Sequence, residues 1–104
     1  MHTVNLDALS IETMHSGRAC LNLTSHINWE DFPDYAKKLL GLLHGSVEKR
    51  SDAVDVRIWE VIIENEKFQL TFDDFPVMVS LESLTHKGDS LLCEFKATLT
   101  NQDI

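Results

Sequence analysis

The chain has 104 residues, 17 of them acidic against 9 basic, a formal net charge of −8, and 43% hydrophobic residues. That length fits one domain, residues 1–104, with a modest core and no room for a second. The negative field disfavours a phosphate backbone and so excludes direct nucleic-acid binding as an expectation, whereas it would attract and speed the encounter of a basic protein. No apolar run approaches the roughly 18 residues needed to span a bilayer, and the start MHTVNLDALSIE lacks the basic and apolar regions of a secretory signal. The expectation is a soluble, cytoplasmic protein of bacterial character that contacts no membrane.

Residues before Asp7 are weakly patterned and are expected to fray or to extend a sheet edge. Leu9, Ile11 and Thr13, then Ala19, Leu21 and Leu23, alternate with mostly polar neighbours on either side of His15-Ser16-Gly17, which predicts a first hairpin. A helix is predicted from Asn28 to about Leu43, with Asn28 as the cap, Asp31 as the alternative cap, and Glu30, Asp31 and Asp34 complementing the positive end of the dipole. Trp29, Phe32, Ala36, Leu39, Leu40 and Leu43 fall on one stripe. His44-Gly45 ends the helix, with Gly45 in the position that favours a left-handed cap. Ser46 to Ala53 reads as a polar connection with at most an irregular edge segment.

From Asp55 to Leu84 the chain carries three β-patterned runs. Val54 to Ile63 has apolar residues on both parities, which predicts neighbours on both edges or cover on both faces and places this strand centrally. Asn65, in Glu64-Asn65-Glu66, tolerates the left-handed backbone of a tight hairpin. Phe68, Leu70 and Phe72 alternate with polar residues, so this strand has one buried face. The strand breaks at Asp73-Asp74-Phe75-Pro76, because Pro76 cannot donate to a ladder, and Val77, Val79 and Leu81 resume the alternation. In the C-terminal segment both periods fit: Leu91, Cys93, Phe95, Ala97 and Leu99 alternate, while Leu91, Leu92, Phe95 and Leu99 form a helical stripe. Helix is favoured, with Gly88-Asp89-Ser90 supplying a turn and caps; a strand would add one edge to the sheet. Assembled, the pattern is ββαβββ followed by a C-terminal helix or edge strand. This is an α+β domain, a mostly antiparallel sheet of about five strands with one long helix packed on one face.

The motifs of chemistry are missing. No GxSxG elbow or local Cys-His signature surrounds Ser16, Cys20, Ser80 or Cys93. Cys20 and Cys93 stand in apolar contexts and read as structural thiols. Five scattered histidines offer no ligand spacing for a metal, and four glycines form no phosphate-cradling loop. No catalytic residue, metal or cofactor is expected. Asn22-Leu23-Thr24 matches a glycosylation sequon, but Asn22 reads better as the polar alternate of a strand. Asp73-Asp74 reads as a solvated turn before it reads as a carboxylate pair, since adjacent residues of an extended segment point in opposite directions.

The segment Asp52 to Glu82 holds eight acids against Arg57 and Lys67. Solubility alone accounts for such a charge. The functional alternative is a partner-binding surface of Glu64, Glu66, Asp73 and Asp74, with Phe75 and Tyr35 as aromatic anchors if they are exposed together rather than packed in the core.

Asn28-Trp29-Glu30-Asp31-Phe32 followed by Tyr35-Ala36, Trp59-Glu60-Val61, Phe68-Gln69-Leu70-Thr71-Phe72 and Leu81-Glu82 resemble a family of small uncharacterised bacterial proteins catalogued as a domain of unknown function. The resemblance covers most of residues 9 to 100, rests on packing residues, and implies fold and compartment with no catalytic residue. In size and charge the chain is also similar to toxin-neutralising immunity proteins, an analogy that does not fix function. The expected function is a small acidic, non-enzymatic protein-binding or regulatory module. The rival readings are a homodimer formed through a sheet edge or helix face, and a small-molecule binder or enzyme with a pocket between helix and sheet.

Overall fold

The computed structural model describes residues 5–74 and 76–101. The element order is β1 (Ser10–Thr13), β2 (Ala19–Thr24), α1 (Phe32–Leu43), β3 (Ser46–Asp52), β4 (Val56–Ile63), β5 (Glu66–Asp74), β6 (Val77–Ser83) and α2 (His86–Thr100). The strands form one sheet in the order β1-β2-β6-β5-β4-β3, and every neighbouring pair is antiparallel. The fold is the expected α+β class. None of the described helices is long and apolar enough to cross a membrane.

Strand register explains where the core sits. Trp59, Leu70, Leu81 and Leu21 stand opposite one another across four strands, so they share one face, and all are buried. Both helices cover that face. Phe32 of α1 packs edge-on to Trp59 with ring centroids 4.8 Å apart, and Phe95 of α2 packs on Phe68 at 5.5 Å. Of the stripe expected on α1, Phe32, Ala36, Leu39, Leu40 and Leu43 are buried, whereas Trp29 precedes the helix and is half-buried.

Several boundaries depart from the sequence reading, each for a local physical reason. The sheet has six strands rather than about five, because residues 46–52 form a true edge strand. Apart from Val47 every residue of β3 is exposed, so the alternation that marks a half-buried strand is missing; edge strands avoid it. The strand β4 has neighbours on both sides, as its pattern requires, yet it lies second from the edge and β5 and β6 take the centre. Helix α1 starts at Phe32 with Asp31 as its cap residue. Asn28 caps the turn before it instead, its Oδ1 accepting from the Asp31 amide at 2.9 Å.

The end of α1 is also shifted by one residue: His44, not Gly45, adopts the left-handed conformation, at φ 59° and ψ 40°. Gly45 is required for space. A Cβ there would meet Ile63 Cγ1 at 2.6 Å and Ile62 O at 3.0 Å, so the helix turns into β3 against the sheet. The C-terminal segment is a helix, settled by its stripe: Leu91, Leu92, Phe95 and Leu99 are buried while Cys93 is exposed. Its cap is Thr85, whose hydroxyl accepts from the Gly88 amide at 2.9 Å. Gly88 therefore lies inside the helix, where a Cβ would come within 2.6 Å of Ser83 Oγ.

Between β4 and β5, Glu64 and Asn65 both have positive φ, 57° and 63°, and Ile63 pairs with Glu66. This is a two-residue hairpin of the mirror-image type whose twist matches that of the strands. Near the free end of β3, Asp52 Oδ1 accepts from Trp59 Nε1 and Oδ2 from Arg57 Nη1, both at 3.0 Å. The Arg57 guanidinium lies 4.1 Å from the centre of the Trp29 ring and donates to the Trp29 carbonyl at 3.2 Å. One carboxylate thus joins the edge strand, the core indole and the segment leading into α1.

Candidate functional site

With both helices on one side, the other face of the sheet has no covering layer among the described residues. Register places Glu12, Cys20, Glu82, Gln69, Glu60 and Lys49 in one row across all six strands. Strands lie about 4.8 Å apart, so Glu12, Glu82 and Glu60 recur at intervals of about 10 Å. The adjacent row contains Ser10, Asn22, Ser80, Thr71 and Ile58.

A polar network orders this surface. Asn22 Nδ2 donates to Glu12 Oε2 at 2.8 Å and to Ser10 Oγ at 3.3 Å, and its Oδ1 accepts from Ser80 Oγ at 2.9 Å. Asn22 is buried and bridges three strands, which is the polar-alternate role its position in β2 predicts. Burial among the strands pushes the Glu82 carboxyl above its ordinary range, and the negative charge of Asp73 adds to this. No ion pair or hydrogen bond compensates the Glu82 side chain among the described residues. Cys20 lies between Glu12 and Glu82. Burial raises its thiol first, and both carboxylates push the same way, while the thiol donates to Asn22 Oδ1 at 3.6 Å; together these keep it protonated and unreactive near neutral pH.

The residues expected to form a partner surface are not gathered at one point. Glu64 is exposed at the β4–β5 turn, and Glu66 accepts from the Thr85 hydroxyl, bracing the start of α2. Asp73 and Asp74 are exposed at the far end of β5, about 26 Å away at the rise of an extended strand. Asp73 stands opposite Val56 and Met78, which places it on the uncovered face. Tyr35 is buried, its hydroxyl donating to the Asn5 carbonyl at 2.6 Å, and so belongs to the core alternative. Phe75 lies outside the described residues.

A second cluster had no sequence signal. Asp7 accepts hydrogen bonds from the Thr24 hydroxyl, from Ser25 Oγ at 3.0 Å and from His26 Nδ1 at 2.8 Å. The Thr24 bond, with those of His26 and Ser25, holds the Asp7 carboxyl well below the usual carboxylate range despite partial desolvation. An Asp, a His and a Ser in contact invite a catalytic reading, but the arrangement is wrong. Ser25 Oγ lies 3.4 Å from Nδ1, the nitrogen already held by Asp7, whereas a triad presents its nucleophile to the opposite ring nitrogen. The cluster fastens residues 5–9 to the end of β2, aided by the bond from the Ala8 amide to the Leu23 carbonyl. Among the described residues no group of three His, Cys, Asp or Glu side chains is placed to hold a metal ion.

Fold and surface together define a two-layer α+β protein with one sheet face that neither helix covers and carboxylates spaced across it. The chain belongs to the family described as protein of unknown function (DUF3630), whose model matches residues 9–101. No curated protein and no solved structure matches it.

Proposed function

We propose that the protein is a small acidic, non-enzymatic binding module whose uncovered sheet face engages a basic protein partner. The row Glu12, Glu82 and Glu60, flanked by Asp73 at the sheet's end, carries the reading. Glu82 supports it most directly: a half-buried carboxylate with no compensating cation among the described residues costs folding stability, and a cationic partner would supply that compensation. Glu64 and Asp74 extend the negative field at the two ends of the sheet and would steer encounter rather than fix register. The test is affinity capture at low and high salt with the wild type and with a Glu12→Lys, Glu60→Lys, Glu82→Lys variant. A specific partner that is released by salt and lost by the variant is expected. Recovery of the same partner at the same salt sensitivity by both proteins would refute this surface.

A second reading is a homodimer formed through β1, all four residues of which are exposed and which has no second neighbouring strand among the described residues, an edge that can template another strand. Sedimentation at micromolar concentration decides it, and a strictly monomeric species removes it.

A further inference from the structure

We infer that the groove between α1 and β3 binds a small organic anion with an apolar body, a chain or ring ending in a carboxylate or sulfonate. The tight link at His44-Gly45 folds β3 back alongside α1, and the groove runs between them from Gly41 and Gly45 at one end to Pro33 and Arg50 at the other. Its length is about 12 Å, from the rise of eight helical residues, and its volume is about 550 Å³. That falls inside the range of about 300–1,000 Å³ typical of ligand clefts.

Leu40 and Trp59, both almost fully buried, form the floor of the groove, and the partly exposed Pro33 and Val47 give it apolar walls. Lys37 reaches it from the helix and Arg50 from the strand, with Asp34 the one carboxylate among the lining residues. Neither cation takes part in an ion pair or side-chain hydrogen bond among the described residues. The Arg50 guanidinium stacks 4.4 Å from the centre of the Trp59 ring, which occupies its face and leaves its N–H fork available for bidentate binding of an oxyanion. Two unpaired cations over an apolar lining, in a chain of net charge −8, are complementary to an amphipathic anion.

Gly41 supplies an independent argument. It sits inside α1, where glycine is the least favourable residue after proline, and a Cβ there would meet nothing within 4 Å. Gly45 and Gly88 are demanded by their own neighbours; Gly41 is not. Gly41 is exposed and lines the groove, and a side chain there would have open space to enter.

Decanoate is the probe, titrated into the isotopically labelled full chain, with decanol and decyltrimethylammonium as matched neutral and cationic controls. Decanoate should shift the resonances of Gly41, Gly45 and the Trp59 indole N–H, and do so more tightly than either control. Lys37→Gln with Arg50→Gln should weaken it roughly ten-fold or more, as loss of charge-assisted bonds requires. Gly41→Leu should abolish binding while leaving the unfolding temperature no lower than the wild type's, because leucine favours helix and its Cβ meets nothing within 4 Å. Charge reversal at Glu60 and Glu82 should leave decanoate binding in place, which separates this site from the uncovered sheet face. Equal affinity for decanol, shifts confined to other residues, no shift at millimolar decanoate, or undiminished binding by Gly41→Leu would each overturn the assignment.

Discussion

Replacing Asp52 by alanine removes one exposed side chain and the two hydrogen bonds it accepts, from Trp59 and Arg57. Trp59 is 2% exposed, so its indole N–H has no solvent to turn to, and leaving such a donor unsatisfied costs about 1–3 kcal/mol. Arg57 loses its carboxylate as well. A fully buried pair broken this way costs about 3–5 kcal/mol, but the Asp52 side chain is 37% exposed, so solvent screening reduces this part to about 1 kcal/mol. The sum is about 3 kcal/mol, or a fall in Tm of roughly 12–24 °C for a domain of this size. Asp52→Asn, which keeps an acceptor for the indole, should cost only about 1 kcal/mol. Urea unfolding followed by circular dichroism measures all three proteins. In a Trp59→Phe background, where no indole N–H needs a partner, the Asp52→Ala loss should shrink to about 1 kcal/mol, as expected when two groups share one interaction. An equal loss in both backgrounds, or a loss below about 1 kcal/mol in the wild type, would refute the account of Asp52 as the shared acceptor.

At the end of α1, Gly45→Ala should destabilise by about 1–3 kcal/mol through overpacking against Ile63, whereas His44→Gly should stabilise by up to about 1 kcal/mol by relieving a left-handed non-glycine residue; thermal unfolding compares them, and the same sign for both would contradict the capping geometry. Asp7 has a lowered folded pKa, so its contribution is complete above the unfolded value near 3.8 and is lost as pH falls towards the folded value. The wild type should therefore lose more stability than Asp7→Asn between about pH 5 and pH 2, and parallel pH curves would disprove the fastening of residues 5–9. Glu82 has the opposite sign: its raised pKa means that ionisation costs stability above that value. Glu82→Gln should accordingly be more stable than the wild type at pH 7 and indistinguishable from it well below pH 4. Tyr35 is the single tyrosine, and burial, reinforced by the charge of Asp7, raises its hydroxyl. Alkaline absorbance titration should show no phenolate at pH 11 until the protein unfolds; a transition near the ordinary value of about 10 would mean that the ring is open to solvent.

The parts of the fold that read directly from the chain are those where one side chain pattern serves one face. Phe68, Leu70 and Phe72, the stripe from Phe32 to Leu43, and Asn65 at the hairpin are cases in which local preference and packing agree. β3 was not legible because an edge strand with two wet faces has no hydrophobic period to display. The exchange of roles between His44 and Gly45 depends on the distance to Ile63, which no local spacing records. The C-terminal segment carried both periods, and only burial of Leu92 with exposure of Cys93 separates them. Candidate sites were harder still. The row Glu12, Glu82 and Glu60 is assembled by strand order, so its members are scattered in sequence, and Asp7 meets His26 across 19 positions. Acid density alone drew Glu64, Glu66, Asp73 and Asp74 into one group that the length of β5 divides.

The hydrogen bond from Ser80 to Asn22 closes a separation of 58 residues, because β2 takes β6, not β3, as its neighbour. While the chain is being synthesised, the first hairpin emerges without the strand it must lie against, and the meander from β3 to β6 can zip up through short-range pairings before it docks. Closing that long loop carries the larger entropic toll. The two ends of the molecule therefore have different histories: its last strand is the platform on which its first hairpin is finally seated.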